Sequence, residues 1–138
     1  MRPYETAFSH MIKEESMKYE QLSQLVIEWG GDKGIFDAST PLRQLDKTQE
    51  ELDETKEALS SLNNLGYQLD LMQEIGVPTK TKEEIMSEVK DGIGDMLVTI
   101  ILLAKMVELD TVDCLNEAYN VIKSRTGKMV DGQFVKDQ

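Results

Sequence analysis

The chain has 138 residues, a length typical of one domain, and 40% of them are hydrophobic, which is enough for one core. Its net charge of −11 argues against binding to a nucleic-acid backbone or to an anionic membrane. The single cysteine excludes a disulfide framework within the chain. The chain has no apolar run of about 18 residues, which excludes a transmembrane helix, and its N-terminus is too charged for a signal peptide. We therefore expect a cytoplasmic protein.

Helical periodicity dominates the chain, and we predict four main helices in one domain over residues 1–138. The first spans about residues 7–29 and ends at the glycines of GGDKG, because glycine is a poor helix former. The second begins at Pro41 after a cap at Ser39 or Thr40. Residues 60–80 continue this helix or form a short extra one, and their role is open. The second helix carries leucines at a seven-residue spacing, namely Leu45, Leu52 and Leu59.

The third helix follows Thr81, which forms the pattern of a capping box with Glu84. Beyond Met96 this helix is apolar almost all round, so we expect a homo-oligomer, at least a dimer, that buries the extra surface. Its apolar stripe comprises Ile85, Val89, Ile93, Met96, Ile100, Leu103 and Val107.

A fourth helix and a short tail complete the chain. Asp110 or Thr111 caps the helix, which ends at SRTGK. The tail spans residues 127–138 and contains Asp131 and Gly132, a pair typical of a hairpin turn.

Three acids mark the point where the third helix becomes strongly apolar. Glu88, Asp91 and Asp95 share one stripe of this helix beside the apolar one. A carboxylate buried without compensation costs several kcal/mol, so it requires a cation, a donor or a proton. Gly92 and Gly94 each cost about 1 kcal/mol inside a helix, a cost that close packing or room beside the acids would justify. A solvated surface stripe is the alternative interpretation.

The second helix carries a further acidic row, QEELDETKE, on the face away from Leu45 and Leu52. The simpler interpretation is a solvated face, since charge runs usually are. Acidic pairs on two helices of an all-α chain also favour a carboxylate site for Mg²⁺, which prefers oxygen ligands. The acids of this row are Glu50, Glu51, Glu54 and Glu57.

Basic residues cluster late, in YNVIKSRTGK. They either interact with the carboxyl end of the fourth helix or bind phosphate oxygens. Trp29 either packs in the core or stacks on a base. The candidate substrate-binding residues of this region are Asn120, Lys123, Arg125 and Lys128.

Three stretches, TPLRQLDKTQEELDE, DGIGDMLVTIILLAKMVELD and AYNVIKSRTGKMVDGQFVK, together resemble the MazG-like nucleoside triphosphate pyrophosphohydrolases, especially small phage-type members. The resemblance covers about residues 20–136. It implies a four- to five-helix all-α bundle of the NTP pyrophosphatase type, assembled as a homodimer or homotetramer. It also implies Mg²⁺-dependent hydrolysis of NTPs or dNTPs to the monophosphate and pyrophosphate, with Mn²⁺ as a possible substitute.

The resemblance assigns roles to individual residues. Glu51 and Glu54 match the ExxE motif of the family, and Lys47 lies at a position that usually precedes it. Asn120 and Lys123 match residues that bind phosphate. Beyond what the resemblance implies, Arg125 or Lys128 would join Lys123 in neutralising charge on the phosphates, and Trp29 would contact the base if it does not pack in the core.

The second family motif, ExxD, is incomplete. Asp95 aligns with its final ligand, but Gly92 occupies the place of the first acid. Two ligand pairs therefore remain open, Glu88 with Asp91 or Asp91 with Asp95. In either case the metal ligands come from Glu51, Glu54, Glu88, Asp91 and Asp95.

The first functional hypothesis is a Mg²⁺-dependent nucleotide pyrophosphohydrolase, acting in the host cytoplasm if a phage encodes it. Its partners would be a nucleotide substrate and further copies of the chain. The alternatives are a non-catalytic helical interaction protein on the same fold, and a narrower dUTPase or phosphoribosyl-ATP pyrophosphohydrolase. Base and sugar preference are open.

Overall fold

The computed structural model describes residues 17–76 and 80–138. Within these ranges the chain is mostly helical, as predicted, and none of the helices is long and apolar enough to cross a membrane. The described elements, in chain order, are α1 (Tyr19–Asp32), α2 (Ile35–Ala38), α3 (Pro41–Asn63), α4 (Leu65–Ile75), α5 (Lys82–Met106), α6 (Thr111–Ile122), β1 (Gly127–Val130) and β2 (Gln133–Lys136).

The helix starts predicted from capping residues are confirmed. The hydroxyls of Thr40 and Thr81 each accept a hydrogen bond from the backbone N–H three residues later, at 3.2 and 3.1 Å. Asp110 caps α6, accepting from the backbone N–H of Val112 at 2.8 Å. Each cap satisfies an N–H group that the first turn of a helix leaves free.

Residues 60–80 and the tail follow the predicted alternatives. The extra helix α4 forms in this segment, and the tail is an antiparallel hairpin of β1 and β2. Its turn residues, Asp131 and Gly132, have φ values of 50° and 82°. Positive φ at both central positions is the geometry that favours Asp-Gly in a two-residue hairpin turn.

The predicted end of the first helix is wrong, and the part of it before residue 17 lies outside the described residues. Helix α1 continues through Gly30 and Gly31 and gives way to a turn at Gly34, whose φ is 77°. Gly30 is buried, and a Cβ there would lie 2.6 Å from the Cδ2 of Leu102 in α5. The helix retains this glycine because it allows α1 to pack closely on α5.

Helix α3 packs antiparallel to α5, the most extensive contact among the described elements. Near one end, the amide of Gln44 donates to the carbonyl of Thr99 at 3.5 Å, and Thr48 donates to the Thr99 hydroxyl at 2.8 Å. Further along, Thr55 meets Gly92. The buried residues of α3 are Gln44, Glu51, Thr55 and Ala58, and those of α5 are Ile85, Val89, Gly92, Thr99, Ile101, Leu102 and Ala104.

The predicted packing face of α3 is wrong. Its three regularly spaced leucines are about half exposed, whereas Glu51, placed by the sequence on the opposite face, is only 8% exposed. The stripe predicted for α5 is partly right, because Ile85 and Val89 are buried. Small and hydroxyl side chains occupy the contact instead, since they allow a closer approach of the two backbones. Exposed members of the predicted apolar sets are Leu45, Leu52, Leu59, Ile93, Ile100 and Val107.

Candidate functional site: an acidic cleft between two helices

A cleft of about 350 Å³ lies between α3 and α5. Its acids come one residue before the contact residues of each helix; Glu54 precedes Thr55, and Asp91 precedes Gly92. Because side chains repeat with the helical period, these acids follow one flank of the helix pair. We call this site the acidic cleft, and its carboxylates are Glu54, Glu57, Glu88, Asp91 and Asp95.

The structure brings the predicted acids of the third helix together with Glu54. All three, Glu88, Asp91 and Asp95, line the acidic cleft, but each is exposed. The expectation that Asp95 is partly buried at the margin of the core is therefore wrong. The buried carboxylate is instead that of Glu51, which lies one turn before Glu54 on α3.

Glu51 does not line the acidic cleft itself, but it is the unusual carboxylate of α3. One oxygen, Oε1, lies 3.5 Å from Nζ of Lys47, while Oε2 is buried and has no hydrogen-bond partner within the described residues. A buried carboxylate oxygen without a donor is costly, because it loses its water and gains nothing in return. This oxygen is thus an acceptor left for a donor or a cation.

Repulsion between acids is also visible at Glu54. The negative charge of Glu51 raises the pKa of Glu54 above its ordinary value of 4.5, and the charge of Glu50 acts in the same direction. Lys47 opposes this shift only partly, since its ammonium group lies closest to Glu50, at 3.0 Å. The acids of α3 therefore carry more negative charge than their neighbours neutralise.

Lysines stand at two points along these acids. Nζ of Lys80 lies 2.5 Å from Oε1 of Glu88, and the hydrogen bond between them raises the pKa of Lys80 above its ordinary value of 10.5. Lys47, predicted to bind substrate, pairs with Glu50 and Glu51 of its own helix. Asp91 and Asp95 form no ion pair with any lysine or arginine of the described part of the chain.

The carboxylates of the acidic cleft and Glu51 have the chemistry that a hard divalent cation requires. All the donors are carboxylate oxygens, the ligands that Mg²⁺ prefers, and the unpartnered oxygen of Glu51 is an acceptor that lacks a positive group. Across residues 17–76 and 80–138, however, no three acidic, histidine or cysteine side chains converge closely enough to form a ready metal site. Binding would require the exposed carboxylates of the cleft to change rotamer, a motion of picoseconds to nanoseconds.

The predicted phosphate- and base-binding residues lie elsewhere in the single chain. Trp29 is half exposed on α1 and does not line the acidic cleft. The two basic residues that follow α6 and the lysine of β1 are exposed, and Lys123 donates to the Asn120 side chain at 3.1 Å. Their roles stay predictions; the set comprises Asn120, Lys123, Arg125 and Lys128.

Sequence reasoning named Glu57 in the acidic row of α3 without including it among the ligands, and it missed Lys80. Glu57 follows Glu54 by three positions and so shares its flank of α3, a spacing that was readable in the sequence. Lys80 precedes α5 in a stretch without a recognisable pattern, and only the fold brings it to Glu88. Its amine adds a positive charge to a site otherwise described by acids.

No protein-family model matches the chain, and no curated protein or solved structure matches it either. The resemblance to MazG-like enzymes accordingly rests on the sequence motifs alone.

Replacing Glu54 with Gln should raise the melting temperature at pH 7 without divalent ions, by roughly 1–2 °C, because one repelling charge is removed. Since the pKa of Glu54 is raised on folding, the folded state holds this proton more tightly than the unfolded chain does. The repulsion therefore weakens as the pH falls through that pKa, and the advantage of Glu54→Gln should shrink towards pH 4.5. Thermal denaturation followed by circular dichroism measures both effects.

The matched control is Glu117→Gln, which removes the same charge from an exposed position on α6 outside the cleft. It should leave the melting temperature unchanged. A Glu54→Gln variant that melts below the wild-type protein at pH 7 would show that the acids of α3 do not repel one another.

Proposed function

We propose that the acidic cleft binds Mg²⁺ and that the chain is a Mg²⁺-dependent nucleotide pyrophosphohydrolase with a MazG-like bundle. The carrying observation is the unpartnered buried oxygen of Glu51 beside a cleft that carboxylates of two antiparallel helices line. The substrate would be a nucleoside or deoxynucleoside triphosphate, and the products its monophosphate and pyrophosphate.

The arrangement favours Asp91 with Asp95 as the acid pair contributed by α5. Both are exposed in the cleft and lack an ion-pair partner among the described residues, whereas Glu88 is paired with Lys80. Glu51 and Glu54 would complete the ligand set from α3. Glu88 would then be available for a second role.

Each group has a distinct part in the proposed reaction. When bound, Mg²⁺ neutralises phosphate charge and polarises the phosphoryl group for attack by water. Glu88, on the same flank as Asp91, would accept the proton of the attacking water. The ammonium group of Lys80 would offset charge on the phosphate oxygens, and Lys123 would add to this if an assembly brings it near.

Pyrophosphate release from NTPs and dNTPs tests the proposal. Activity should disappear with a chelator and return with Mg²⁺ or Mn²⁺. Asp91→Asn and Asp95→Asn should each reduce kcat/KM by about 100-fold or more, because they remove ligands. Glu88→Gln should have a smaller effect on binding of the ion than on turnover, since Glu88 would act on the water.

Asp113→Asn is the matched control, an equivalent change at an exposed position outside the acidic cleft, and it should keep full activity. Full pyrophosphatase activity in Asp95→Asn would rule out the site. The absence of activity on every NTP and dNTP, with a melting temperature unchanged by millimolar Mg²⁺ and nucleotide together, would rule out the enzyme.

A second candidate function, a helical interaction protein without catalysis, is favoured by the apolar side of the α3–α5 pair. Several residues that directly follow buried or half-buried residues of the two helices are large, apolar and about half exposed, and we call this set the apolar flank. Its exposed fractions lie between 41% and 51%. The apolar flank consists of Leu45, Leu52, Leu59, Ile93, Leu97 and Ile100.

We expect the apolar flank to be covered by another copy of the chain, giving at least a homodimer. Light scattering at micromolar concentration should report a dimer or tetramer for the wild-type protein. Leu52→Glu should shift it towards the monomer, because a charge would enter the interface. The control Val135→Glu, on the exposed hairpin, should not, and a monomeric wild-type protein would contradict the expectation.

A further inference from the structure

We propose that Gly92 and Thr55 are positioning residues, whose contact fixes the separation of α3 and α5 at which carboxylates of both helices reach one divalent cation. This inference rests on the proposed function of the acidic cleft. It assigns a role to the two residues whose contact lies between the acids of α3 and the acids of α5.

The contact leaves no room for any side chain at position 92. A Cβ on Gly92 would lie 2.2 Å from the Oγ1 of Thr55 and 3.1 Å from its Cβ. Thr55 is only 4% exposed, and its hydroxyl donates to the carbonyl of Glu51 at 2.7 Å. Rotation of the Thr55 side chain would break that bond in a buried site, so a larger residue at 92 has to push the helices apart.

The acids stand directly beside this contact. Glu54 precedes Thr55, and Asp91 precedes Gly92, while the Thr55 hydroxyl is bonded to the backbone of Glu51. A change in helix separation here thus moves carboxylates of α3 relative to those of α5. Mg²⁺ requires oxygen ligands at about 2.0–2.1 Å in near-octahedral geometry, so a wider separation of the helices leaves fewer rotamers with which ligands on both helices reach one ion together.

The far end of the helix pair is held independently. Thr48 donates to the Thr99 hydroxyl at 2.8 Å, and Gln44 donates to the Thr99 carbonyl. A side chain at 92 would consequently tilt the helices apart at the cleft while these bonds keep their other end together. The expected defect is in cation binding, with the helical fold retained.

The experiment is a titration of the full-length protein with Mn²⁺, followed by electron paramagnetic resonance of the free ion. Gly92→Ala should weaken Mn²⁺ binding at least 10-fold while its circular dichroism spectrum stays helical. Gly94→Ala is the matched control, a glycine two residues away in α5 whose added Cβ would meet nothing within 4 Å. It should bind Mn²⁺ within 2-fold of the wild-type protein.

The double variant Gly92→Ala/Thr55→Ala removes the clashing hydroxyl and should restore binding to within 3-fold of Thr55→Ala alone. A merely structural role for Gly92 would not give this selective loss and rescue of Mn²⁺ affinity. Wild-type affinity in Gly92→Ala overturns the inference. If Gly92→Ala does not fold, the double variant decides, and its failure to fold or to bind Mn²⁺ overturns the inference as well. A wild-type protein that binds no Mn²⁺ would instead overturn the proposed function.

Discussion

Helices α3 and α5 approach each other along a face on which small and hydroxyl side chains stand at the closest contacts, and the positions of the acids follow from that approach. Two of the three buried or half-buried threonines each donate to a carbonyl of their own helix at 2.7 Å, and the third, Thr48, donates to the Thr99 hydroxyl at 2.8 Å. A hydroxyl satisfied in this way is buried at little cost, and it is smaller than the leucine that usually fills such a contact. The residues concerned are Thr48, Thr55 and Thr99.

This choice of contact face gives the helix pair two different flanks. Five acids that directly precede residues of the contact face line the acidic cleft, whereas six apolar residues that directly follow such residues form the apolar flank. Because the helices are antiparallel, equivalent offsets from the contact fall on the same side of the pair. One side therefore concentrates negative charge and the other concentrates apolar surface, and these are the two surfaces to which we assign the proposed cation site and the proposed oligomer interface.

Local chemistry made much of the fold predictable from the sequence. The caps at Thr40, Thr81 and Asp110 and the Asp131–Gly132 turn depend on a few neighbouring residues, so their signals are complete in the sequence. The acids of the third helix were also grouped correctly, because the helical period alone puts them on one stripe. Their common cleft with Glu54 is the tertiary consequence of that stripe.

The features that sequence reasoning missed depend on which helix meets which. Regular leucines indicate an apolar face of α3, but they do not identify the partner that covers it, and no element within residues 17–76 and 80–138 covers it fully. The poor helix propensity of glycine predicted a helix end at Gly30, whereas Gly30 lies inside α1 because it packs against Leu102. Burial of Glu51 likewise requires knowledge of the α3–α5 contact. Each error has the same origin, since a long-range contact outweighed a local preference.

Paramagnetic broadening of backbone amide signals by sub-stoichiometric Mn²⁺ tests the central claim most directly, because it locates the ion without requiring turnover. The account predicts selective loss of the signals of Glu54, Asp91 and Asp95, reversed by excess Mg²⁺. The acidic residues near the start of α6, Asp110 and Asp113, serve as an internal comparison and should keep their signals. Broadening centred there, or spread evenly over the acidic surface, would contradict the account.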